Sequence, residues 1–144
     1  LSPDMAAARE GRRIDTYVLF AHCRVAMETT RGTLLIEGVG GIMVPLDDTR
    51  TVLDWMKALD IPVLLVTGSY LGTISHTLTA IAALKQARLR VPALIVNETA
   101  GSTVPLGDTM DEISRFAPDI PIVALRRGAT ADDPAFARIA ALIK

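Results

Sequence analysis

Four short apolar runs, nearly evenly spaced, constrain this chain more than any other feature: TLLIE (33–37), PVLLVT (62–67), PALIVN (92–97) and PIVAL (121–125). Their starts lie about 30 residues apart, the length of one strand–helix–strand unit. Three of them are entered through a proline. Continuous apolar runs, as opposed to alternating ones, belong to strands covered on both faces, as in a parallel sheet. Helix-forming stretches occupy about 50–59, 73–88, 107–117 and 133–143 between and after them. Strands alternating with helices predict right-handed crossovers, hence an α/β fold: a doubly wound, mainly parallel sheet with flanking helices. Ahead of the first run, LSPDMAAAREG predicts a short helix with Ser2 as N-cap, Pro3 at its first position and Gly11 as its stop. From Ile14 to Thr30 a longer amphipathic helix is expected, with Ile14, Tyr17, Val18, Ala21 and Val25 on its apolar face.

The 144 residues suffice for one domain, and a single α/β domain over 1–144 is the expectation. Half of the residues are hydrophobic and 22% are charged, enough apolar material for a core. A formal net charge of −1 leaves no footprint for nucleic acid, and Arg9, Arg12 and Arg13 are interspersed with acids. No apolar run approaches the roughly 18 residues that a membrane span needs. The lone Cys23 has no disulfide partner and no Cys/His cluster has zinc spacing, so a reducing, cytoplasmic setting is expected. The start at Leu1 and the small number of strands lead us to expect the C-terminal part of a longer domain.

In an open parallel sheet, ligands bind beyond the carboxyl ends of the strands. The first run ends in Glu37-Gly38-Val39-Gly40-Gly41. A carboxylate there can hold Mg²⁺ through oxygen, and glycines let backbone N–H groups approach an anion; equally, Glu37 can cap a helix beside a tight turn. The second run leads through Gly68 and Gly72 into a helix starting near Thr73, a ready anion site with the Thr73 and Ser75 hydroxyls nearby. Simple N-capping by Thr73 or Ser75 is the alternative, and His76 reads as a packed or capping residue. The third run ends in Asn97-Glu98-Thr99, where an Asn amide matches a purine edge but also forms ordinary turns. Asp47 and Asp48 are expected to cap the helix that follows. Trp55, Met56 and Leu59 read as core at helical spacing. A GxxxxGK[ST] phosphate loop and a G-x-S-x-G nucleophile elbow are both absent from these residues.

Taken together, IEGVGGIMVPL, PVLLVTGSYLGTISHTL and ALIVNET resemble the C-terminal two-thirds of dethiobiotin synthetase, an ATP-dependent family of the P-loop-containing α/β class. The opening SPDMAAAREGRRID is similar to the same family, with Asp4 where His is usual. The resemblance implies ATP- and Mg²⁺-dependent ring closure of 7,8-diaminopelargonate with CO₂ in biotin synthesis. It implies Glu37 as a Mg²⁺ ligand, and Gly38, Gly40 and Gly41 beside the diamine and phosphates. Gly72, Thr73, Ile74 and Ser75 would receive the substrate's carboxylate across a homodimer interface. Asn97, Glu98, Leu125 and Arg126 would line the nucleotide site. The family's catalytic lysines belong to an N-terminal phosphate loop without counterpart here, so no catalytic residue is assigned in this chain, which is expected to be inactive alone. Ser75 stands where Asn is common, and LRRGA (125–129) departs from the family pattern. Two other readings are a non-catalytic ligand-binding or dimerisation module and a related ATP-dependent amidoligase.

Overall fold

An apolar run becomes a strand only when its backbone finds a hydrogen-bonded neighbour, and three of the four runs do. A computed structural model describes residues 1–144, which divide into two compact units, Leu1–Ile61 and Pro62–Lys144.

In residues 62–144, β1 (Leu64–Gly68), β2 (Ala93–Asn97) and β3 (Ile122–Leu125) form a parallel sheet in the order β1-β2-β3. Helices α4 (Thr73–Gln86), α5 (Leu106–Phe116) and α6 (Pro134–Leu142) flank it. The expected parallel α/β architecture is therefore present. Helix α4 packs on β1 and on α5, and α5 packs on β2 and β3. A sheet that grows in one direction through crossovers of one hand sets successive helices on the same face. The central strand carries the core: Ala93, Leu94, Ile95 and Val96 are all buried, together with Leu84 of α4, Ile113 of α5 and Val123 of β3. β1 differs from the expectation of two covered faces. Val66, on this edge strand, is 60% exposed.

Residues 1–61 hold α1 (Pro3–Arg9), α2 (Thr16–Thr29) and α3 (Val52–Leu59). Ser2 caps α1 in position but without a side-chain hydrogen bond, Pro3 begins the helix, and Gly11 follows it at φ +66°. Two expectations fail here. Residues 33–37 form no strand, since no segment pairs with them; Leu34 and Ile36 are half-buried while Leu35 and Glu37 are exposed. The helix over 14–30 exists, but it buries another stripe. Thr16 and Cys23 are buried, and Leu19 and Phe20 pack on the cluster of Cys23, Leu46, Val52, Trp55 and Leu59. The predicted face is the outer one, with Tyr17 72% exposed and Val18 and Val25 also exposed. Both stripes carry apolar residues at helical spacing, so periodicity alone could not choose between them.

Leu94 is fully buried at the centre of the sheet. Leu94→Ala is expected to lower unfolding stability by about 2–5 kcal/mol, measured by urea titration. A loss below about 1 kcal/mol would contradict the central place given to β2.

Candidate functional site

The register of the sheet places three strand ends side by side. Gly68 is opposite Asn97, and Asn97 is opposite Leu125. The segments after those residues therefore leave from one carboxyl edge, where a parallel sheet binds its ligands.

The segment after β1 is held from below. Ser69 is buried, its Oγ accepts from Thr99 N–H at 3.0 Å, and its own N–H donates to Thr99 Oγ1 at 3.1 Å. A threonine ladder fixes the start of α4: Thr73 Oγ1 donates to the Gly68 carbonyl at 2.6 Å and lies 2.8 Å from Thr67 Oγ1, to which Thr77 also donates. Gly68 itself must be glycine, because a Cβ there would fall 2.5 Å from Thr99 Oγ1. The N-cap is Gly72 at φ +93°, with no side chain capping the helix. Neither Thr73 nor Ser75 caps it, which corrects the alternative raised from sequence. The Thr73 hydroxyl is consumed inside the protein, so what the helix start offers outward is backbone N–H and the exposed Ser75 side chain. Thr73 N–H donates to the Tyr70 carbonyl and His76 N–H to the Gly72 carbonyl, leaving the N–H groups of Ile74 and Ser75 without a backbone acceptor. Unpaired N–H groups at a helix start attract anions. His76 Nδ1 lies 3.1 Å from the Tyr70 hydroxyl, beside that opening.

The segments after β2 and β3 border an open pocket of about 440 Å³ lined by Asn97, Glu98, Leu125, Arg126, Arg127, Gly128, Ala129 and Phe136. Glu98 braces it: its N–H donates to the Leu125 carbonyl at 2.9 Å and its Oε2 accepts from Arg127 N–H at 2.9 Å. The four residues expected to line a nucleotide site, Asn97, Glu98, Leu125 and Arg126, are thus brought together.

In residues 1–61, Glu37 is exposed at the end of the unpaired run 33–37. Gly38 lies against Val52, since a Cβ there would sit 3.1 Å from Val52 Cγ1. Gly40 has φ +74°, and a Cβ would come 2.9 Å from Val44 Cγ2. Gly40 is sterically required, whereas a Cβ at Gly38 would need Val52 to give by a few tenths of an ångström. Glu37 belongs to no cluster of three or more His, Cys, Asp or Glu side chains.

Sequence reading missed a network in this unit. Asp47 does not cap α3; Thr51 does, in a capping box with Asp54. Asp47 instead closes its own turn, accepting from Thr49 N–H at 2.8 Å and Arg50 N–H at 2.7 Å through Oδ1. Its Oδ2 accepts from Thr16 Oγ1 at 2.8 Å and from Arg50 Nη1 at 3.3 Å, and Arg50 also donates to Thr16 Oγ1. The Arg50 guanidinium carbon lies 4.2 Å over the Tyr17 ring. The signal in the sequence was the D-x-T-R turn after Leu46, an Asx-type pattern whose distant partner, Thr16, no spacing could disclose.

A protein-family profile described as an AAA domain matches residues 1–125. The chain belongs to the AAA-domain family. It is 50% identical over 115 residues to the ATP-dependent dethiobiotin synthetase BioD of Acidiphilium cryptum, covering 80% of this chain and 52% of that protein. To the proteins of the same name from Methylobacterium nodulans and Caulobacter sp. it is 47% and 45% identical, covering 89% and 95% of this chain and 57% and 60% of theirs. The resemblance read from the three motifs is thereby borne out. The chain spans between half and two-thirds of the length of these curated relatives. No helix in it is long and apolar enough to cross a membrane.

Hydrogen bonds, first from Thr49 N–H and then from Thr16, hold the Asp47 carboxyl well below the usual carboxylate range. A depressed folded-state pKa contributes stability above the unfolded value, 3.8, which is lost as pH falls through the lower folded value. Urea unfolding followed by fluorescence of the single Trp55 is expected to lose stability as pH drops below 3.8. Asp47→Asn is expected to weaken stability at neutral pH and flatten that slope; an unchanged slope would refute the role given to Asp47.

Proposed function

We propose that this chain supplies the ligand-binding edge of an ATP-dependent dethiobiotin synthetase. One observation carries the reading: the strand register brings the α4 start and the Asn97–Arg126 pocket to one sheet edge, in a chain up to 50% identical to proteins of that name. The activity entails capture of CO₂ by one amine of 7,8-diaminopelargonate as a carbamate, phosphorylation of that carbamate by ATP, and attack by the second amine with release of phosphate.

Each part of the chain has a task in this scheme. Asn97 offers a donor and an acceptor to the nucleotide base, while Glu98 keeps the 125–127 segment in place against it. The free N–H groups of Ile74 and Ser75, with the dipole of α4 behind them, hold the substrate's carboxylate. The reading includes a homodimer in which that helix start serves the partner's site. Gly38, Gly40 and Gly41 allow backbone to approach the phosphates.

Mg²⁺ fits Glu37 by its donor chemistry. The ion keeps several waters and takes one or two carboxylates plus substrate phosphates, so a single exposed carboxylate beside a glycine loop is an adequate protein contribution. When bound, the ion offsets negative charge on the phosphates. Glu37 would hold it at that loop.

The test is turnover of 7,8-diaminopelargonate, CO₂ and ATP by the complete gene product that carries this chain, compared with a glutamine-dependent amidoligase substrate. We expect diamine-dependent phosphate release from the first set alone. Glu37→Gln is expected to raise the Mg²⁺ requirement and Asn97→Ala the KM for ATP, each by about tenfold with kcat less affected. Absence of diamine-dependent turnover in the unmutated protein would refute the reading.

A further inference from the structure

We propose that Thr16, Asp47 and Arg50 are positioning residues that set the conformation of the Gly38–Gly41 loop. The inference rests on the reading above only for the loop's ligand, not for the coupling itself. Thr16 is buried at the start of α2, and its hydroxyl joins the Asp47 carboxylate to the Arg50 guanidinium. Both side chains on the far side belong to one tight turn, whose backbone is closed by Leu46 N–H donating to the Arg50 carbonyl at 2.8 Å. The network therefore holds that turn against α2.

From the turn, order runs back along the chain. Pro45 and Thr51 form an antiparallel bridge, and Val52 N–H donates to the Val44 carbonyl at 2.9 Å. Leu53 N–H donates to the Ile42 carbonyl at 2.7 Å, and Val44 N–H to the Gly41 carbonyl at 3.0 Å. Residues 41–44 are thus tied to 51–53, and the turn of 46–50 decides how those two segments face each other. A shift of the turn is passed to the loop through these backbone hydrogen bonds, which reach Gly41 itself. There is little room for side chains at two of the loop's glycines: a Cβ on Gly40 would come 2.9 Å from Val44 Cγ2 and one on Gly38 3.1 Å from Val52 Cγ1.

Substitutions separate this coupling from general stability. Thr16→Val removes the hydroxyl and keeps the shape, whereas Thr16→Ser keeps the hydroxyl. Asp47→Asn retains Oδ1 for the turn but puts an NH₂ donor where Thr16 and Arg50 now donate. In the complete gene product, we expect Thr16→Val and Asp47→Asn to speed amide exchange of Val44, Val52 and Leu53 by about tenfold, with Leu94 and Val96 of β2 unchanged and Thr16→Ser near normal. The same two variants should raise the ATP and Mg²⁺ concentrations for half-maximal rate by about fivefold, with Thr16→Ser near normal. Unchanged exchange at Val44, Val52 and Leu53 would overturn the proposal. Faster exchange with unchanged ATP and Mg²⁺ dependence would overturn it as a functional device. If the unmutated protein shows no turnover while exchange responds as expected, the functional reading fails and the coupling stands.

Discussion

β2 is hydrogen-bonded on both sides, and that double pairing is what the rest of residues 62–144 depends on. Its four apolar residues are buried on both faces, so a slip in register would carry side chains from filled positions into filled positions, with strain on each. The one register that packs is also the one that sets Gly68, Asn97 and Leu125 in a row. The candidate site is therefore a by-product of core packing. Residues with nothing in common in sequence come to one edge because the hydrophobic ladder ends there.

Polar ties beyond the ladder make the edge specific. The reciprocal Ser69–Thr99 hydrogen bonds join the segments after β1 and β2, and Glu98 joins those after β2 and β3. Between them these contacts satisfy the polar groups that a strand end leaves over, and they spend side chains that a motif reading assigns to ligands. Thr73 is the plainest case. Its hydroxyl belongs to the Gly68 carbonyl, so the anion-binding capacity of α4 lies in the N–H groups of Ile74 and Ser75 and in the exposed Ser75 side chain.

Residues 1–61 solve a different problem, since they hold no sheet. Their order comes from helices α2 and α3 around Cys23, Trp55 and Leu59, and from a charged turn closed by a buried threonine hydroxyl. A carboxylate with its oxygens fully used is rigid as well as strongly acidic, and here the two properties have one cause. The glycine loop, which has no regular structure, is tied to the segment after that turn through backbone hydrogen bonds from Val44 to Gly41 and from Leu53 to Ile42.

How much of this was legible in advance follows from the range of the forces involved. The sequence by itself determined the three paired strands, the helices with their Ser2, Pro3 and Gly11 signals, and the polar residues at each strand end, because these rest on local propensity, prolines and hydrophobic runs. Tertiary structure decided what needed a partner. Residues 33–37 had strand composition without a neighbour to pair with, and α2 carried two apolar stripes of which packing chose the one through Thr16, Leu19, Phe20 and Cys23. Asp47 looked like a helix cap until the fold brought Thr16 to it across 31 residues of chain. Spacing reports what one element can do; which of those capacities is used depends on what the fold places opposite.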